Sequence, residues 1–141
     1  MPKVGQFLHD SFVVDDVAAI DTNYNTARVH VHNLYANTYI SGNQFKDRIE
    51  SIIVRLKDIS VGGASSVTVR VSMDANGDYT IIPDTTATLS LGVTTATTGC
   101  AAIYYGAPIQ NVIGNNDAVY LFVKVDAGTA VLDASCITWS E

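Results

Sequence analysis

Between Ser65 and Leu91 the chain alternates apolar and polar residues with the two-residue period of a strand. Val67, Val69 and Val71 fall on one face, and Thr68, Arg70 and Ser72 on the other. That pattern predicts a strand with one buried face. Asn76-Gly77 supplies residues that tolerate the positive φ of a tight hairpin turn, and Tyr79 to Ile82 predicts the returning strand, with Pro83 stopping its ladder. A further short strand is expected from Ala87 to Leu91, followed by a loop or edge segment over the uncharged tract Val93 to Gly99.

The same period recurs elsewhere. Ala27, Val29 and Val31 predict the apolar face of a strand whose polar face carries Arg28, His30 and His32. Over Gln44 to Lys57 the apolar positions would suit a helix, but the density of β-branched residues favours a strand from Ile49 to Lys57 with Ile52, Val54 and Leu56 inward. Ser41-Gly42-Asn43 and Gly114 to Asp117 read as turns, and Ser60 to Ser66 as a flexible connection. Cys100 to Tyr105, Ala118 to Val125 and Ala130 to Trp139 complete the strands, the last two joined by a predicted hairpin turn at Ala127-Gly128.

About eight strands at short intervals predict an all-β fold of two packed antiparallel sheets, a jelly-roll-like sandwich, with an immunoglobulin-like sandwich as the alternative. The weak periodicity of the first residues makes 1–26 an N-terminal arm or extended segment and 27–141 the sandwich domain. One strand stands apart. Ala118 to Val125 is apolar on both faces, with Val119, Leu121 and Val123 on one and Tyr120 and Phe122 on the other, so it needs two covers: core on one side, and an arm, a loop or a partner chain on the other.

Composition sharpens this picture. The 141 residues include 16% charged and 48% apolar types, and Glu50 and Glu141 are the only glutamates, a profile of strands joined by Asp, Asn and Gly turns. A net charge of −6 with scattered Lys and Arg argues against a nucleic-acid partner. The N-terminus has no apolar leader and no segment reaches membrane-span length, so synthesis in a host cytosol is expected, with Cys100 and Cys136 reduced.

Candidate chemistry is thin. His30-Val31-His32 has the spacing of two metal ligands on one strand face, but no third ligand is evident, so a pair of half-exposed histidines and no bound metal are expected. Asp74 to Asp78 resembles a calcium loop, yet its glycine is misplaced and the closing glutamate is missing; a turn explains it. No nucleophile elbow, activated cysteine, paired carboxylate or phosphate loop appears, so neither catalysis nor a cofactor is expected. Tyr24, Tyr35 and Tyr39 lie in poorly patterned segments where exposed rings could stack on sugars.

The stretches Ile52 to Ile59, Val67 to Tyr79 and Val119 to Thr129 resemble small β-sandwich virion proteins of tailed bacteriophages, over residues 49–141. The resemblance implies a structural role: a capsid decoration or cement protein in the virion, a homo-oligomer such as a trimer, with the major capsid protein as partner. An interface through Phe7, Phe12, Val14, Tyr120 and Phe122 is then expected. The alternative is a carbohydrate-binding module, or a receptor-binding domain of a fibre or tail, with a glycan as ligand.

Overall fold

A computed structural model describes residues 8–34, 48–93, 97–108 and 118–140. Among these described residues nine strands are seen: β1 (Leu8–Ile20), β2 (His30–Asn33), β3 (Arg48–Lys57), β4 (Ser66–Ser72), β5 (Thr80–Thr88), β6 (Ser90–Leu91), β7 (Gly99–Pro108), β8 (Ala118–Val125) and β9 (Ala130–Ser140). The only helical element among the described residues is a single 3-10 turn, Thr26–Arg28. A five-stranded sheet runs β1-β9-β3-β7-β6 and a four-stranded sheet β2-β8-β4-β5, with every pairing antiparallel.

The pairings are nested. β1 pairs with β9, β2 with β8, β3 with β7 and β4 with β5, as in one long hairpin, and rolling that hairpin over brings β9 beside β3 and β8 beside β4. This is a jelly roll. The turn containing Asn76-Gly77 is the tip of the rolled hairpin. It is a wider loop than the dipeptide predicts, because only Gly77 has a positive φ (78°), and Asp74 organises the rest. The Asp74 carboxylate accepts the Ser72 hydroxyl and the backbone N–H groups of Asn76, Asp78 and Tyr79, and these bonds, Ser72 foremost, hold its pKa down.

Between the sheets the alternation read from the sequence is realised. Val67, Val69 and Val71 of β4 pack with Ile52, Val54 and Leu56 of β3, Val119 and Leu121 of β8, and Leu132 and Ile137 of β9, all buried. Residues 48–57 form a strand, as β-branching favours.

Five expectations are corrected. Of the two forms expected for 1–26, residues 8–20 take the extended one, but inside the sandwich rather than ahead of it: β1 lies at the edge of the five-stranded sheet along β9, and its pattern is broken by a register shift between Val14 and Ala18, where Asp15-Asp16 interrupt the apolar run. The faces of β2 are inverted. His30 and His32 are buried and Val31 is 43% exposed, because the 3-10 turn, capped by the Asn25 side chain accepting from Ala27 N–H, delays the strand, and the inward row is His30, His32 and Leu34. β5 runs through Pro83, which is tolerated because β5 is an edge strand.

The turn at Ala127-Gly128 joins no hairpin, since β8 and β9 lie in different sheets. Gly128, with φ +66°, lets the chain cross between them where a Cβ would collide with the Ser60 hydroxyl. The connection 60–66, expected to be flexible, is tied down there: Asp126 accepts from Ser66 N–H, the Ser65 hydroxyl and Ser65 N–H, which lower its pKa to about 2. Ser41-Gly42-Asn43, the turn at 114–117, Tyr35, Tyr39 and Phe7 lie outside the described residues.

Candidate docking face

The interior histidine belongs to the fold. The buried His32 Nδ1–H donates to the Ser11 carbonyl at 2.9 Å, with Ser11 Oγ at 3.2 Å, and Ser135 Oγ–H donates to Nε2 at 2.9 Å. A carbonyl only accepts, which fixes the proton on Nδ1. One imidazole thereby ties β2 to β1 and β9 across the sandwich. Burial disfavours its charged form and lowers its pKa to about 4; the Ser11 bond opposes this, and His30 adds to it. Among the described residues no three of His, Cys, Asp and Glu gather in a metal-binding group.

The second cover of β8 is also the chain's own. Phe122, 3% exposed, faces outward from the four-stranded sheet but lies beneath the connection between β1 and β2. Tyr24 meets its ring edge-on at 5.8 Å, and Gly77 reaches it from the hairpin tip, where a Cβ would sit 3.2 Å from Cζ. Tyr24 is held in turn. Its hydroxyl donates to Asp84 at 2.9 Å, Arg70 donates to the same carboxylate at 2.7 Å, and the Arg70 and Lys124 cations lie 4.9 and 4.7 Å from its ring centre. Burial works against the Asp84 charge, but these partners outweigh it and lower its pKa. Tyr24 is therefore engaged internally rather than offered to a sugar.

Among the described residues, none covers the outer face of the five-stranded sheet in this way. Residues paired across adjacent strands share a face, so the registers define transverse rows. Phe12, Cys136, Ile53 and Ala102 form a central row running from β1 through β9 and β3 to β7. One row beyond lie Val14, Ala134, Arg55 and Cys100; on the other side lie Asp10, Thr138, Ser51 and Tyr104. Phe12 is 59%, Val14 64% and Ile53 40% exposed, and Tyr104 stands out at the corner. These neighbours make a contiguous apolar patch, which is more informative than scattered exposed residues.

Charges stand at the two ends of the patch. Asp10 accepts from the Thr138 hydroxyl at 2.9 Å at one end; at the other, Arg55 and Lys57 share Asp133, which projects where the β3–β9 register shifts. A shallow depression on the face is lined by Phe12, Ile53, Arg55, Cys100 and Cys136. Both thiols are free. They stand two strands and one row apart, roughly 12 Å between Cα atoms and beyond the reach of a disulfide. Burial, then Asp10, raises the Cys136 pKa, with Thr138 opposing.

The expected interface residues divide between opposite sides of the molecule. Phe12 and Val14 lie on this face, Tyr120 is half-buried on the outer side of the four-stranded sheet, and Phe122 is enclosed. Ile53 was missed, although its signal is plain: if Ile52, Val54 and Leu56 point inward, Ile53 must point outward beside Arg55. No family model matches the chain, and no curated protein is significantly similar to it. The fold and the face define an all-β jelly-roll protein with an apolar sheet surface that none of the described residues covers.

Proposed function

We propose that the chain is a non-enzymatic virion structural protein, a capsid decoration or cement subunit that stabilises the shell by packing the outer face of its five-stranded sheet against neighbours. The observation that carries this reading is the exposed row centred on Phe12 and Ile53, joined by Val14, on a chain whose other strongly apolar strand, β8, is covered from within. Burying such a patch between subunits removes apolar surface from water at roughly 25 cal/mol per Å², and a rigid sandwich needs little reordering to do so. The strand stretches that resemble phage virion proteins point the same way, and jelly rolls serve in viral capsids as well as in lectins.

The test is a binding assay with particles of the encoding virus stripped of their accessory proteins. The purified chain should co-sediment with them, and Phe12→Asp should abolish binding while leaving the circular dichroism spectrum unchanged. A chain that ignores particles but binds a defined glycan would move the function to the carbohydrate-binding alternative.

A further inference from the structure

We propose that His32 is an acid-operated latch on β1: protonation of its imidazole releases the N-terminal part of that strand, residues 8–14, from β9 while the rest of the sandwich stays folded. The geometry selects this strand. His32 is fully buried, with Ser11 of β1 at Nδ1 and Ser135 of β9 at Nε2. Of the strands that wall it in, β8 and β9 each lie between two neighbours, whereas β1 is outermost and pairs with β9 alone. Moving β1 therefore brings water to the ring at the cost of one ladder, a local opening rather than a global one.

The break point is built into the strand. Because the β1–β9 register shifts between Val14 and Ala18, residues 8–14 pair in one uninterrupted run and residues 18–20 in another. The second run is held from beyond. The Val125 N–H donates to the Asp21 carbonyl at 2.9 Å, and Tyr24 is pinned to Asp84. The first run is tied across the sandwich by His32.

Acid turns that tie against the strand. A neutral ring donates through Nδ1 and accepts through Nε2, so the two serines match it, whereas the imidazolium brings a charge into an apolar interior. The inward rows that face it, on β1, β8, β9 and β2 itself, contain no carboxylate. By register their titratable members are His9 on β1 and His30 on β2, which carry like charge when protonated. Burial holds the His32 pKa at about 4, against 6.5 for an exposed ring. A ring that binds its proton more tightly when exposed favours opening as pH falls below 6.5, and between pH 7 and pH 5 these values raise the opening equilibrium about twentyfold.

Hydrogen exchange on the intact chain, resolved by peptide and corrected for the intrinsic rate at each pH, is the test. Residues 8–14 should be less protected than β4 at both pH values, and their protection should fall about twentyfold from pH 7 to pH 5. In His32→Gln, whose amide can donate to Ser11 and accept from Ser135, that fall should vanish. In His9→Gln and His30→Gln it should persist. Equal protection of residues 8–14 and β4 would mean that the strand leaves only with the whole fold, and would overturn the latch. A fall that is absent, that survives His32→Gln or that vanishes in His9→Gln or His30→Gln would overturn it as well. Should His32→Gln not fold, the wild-type series and the other two variants decide.

Discussion

The two sheets present opposite solutions to the same problem. On the four-stranded sheet the outward Phe122 is sealed by the chain's own β1–β2 connection, with Tyr24 pinned between Asp84 and two cations. On the five-stranded sheet the outward Phe12 and Ile53 have no comparable strap among the described residues. An outward-facing aromatic on a strand is thus enclosed in one place and exposed in the other, and what decides is whether a connecting loop passes over it.

The largest expected effect breaks the comparison at its buried end. Phe122→Ala should cost about 3 to 5 kcal/mol of folding stability, the range for a fully buried aromatic, measured by urea unfolding. A loss near zero would mean that the ring is not sealed. Next is pH. His32 has its folded pKa depressed to about 4 from 6.5, so its contribution is fully present above pH 6.5 and is lost as pH falls toward 4. The loss should approach about 3 kcal/mol at pH 4 and below, and replacing His32 by Gln should flatten that part of the stability profile.

Removing the strap is the intermediate case. Tyr24→Ala deletes the hydrogen bond to Asp84 and the cation contacts and uncovers Phe122, with an expected cost of about 1 to 2 kcal/mol. It should also raise the binding of a hydrophobic dye. Smallest is the change at the open face: Phe12→Ala should alter monomer stability by less than about 0.5 kcal/mol, while weakening association. Equal destabilisation by Phe12→Ala and Phe122→Ala would erase the distinction between the two faces.

How much of this was legible in the sequence follows from how local each signal is. The inward rows of β3, β4 and β8 could be read directly, because Ile52 to Leu56, Val67 to Val71 and Val119 to Val123 keep the strand period without interruption. β1 was obscured because its run is broken at Asp15-Asp16, where the register shifts, and its strand character depends on β9, more than a hundred residues away. β2 misled because histidine reads as polar, whereas a neutral imidazole with a serine at each nitrogen can be buried. The turn at Gly128 was found, but the sheet to which the next strand belongs is a long-range fact that no turn encodes. The docking face was half legible: Phe12 and Val14 stood out by type, and Ile53 only once the inward row of β3 was fixed.

The most direct test of the open face as the assembly surface is a reconstruction of the native particle at a resolution that separates strands. The account predicts the chain on the shell with the Phe12, Cys136, Ile53 and Ala102 row covered by a neighbouring subunit. A particle in which that row faces solvent, or which lacks the chain, would contradict it.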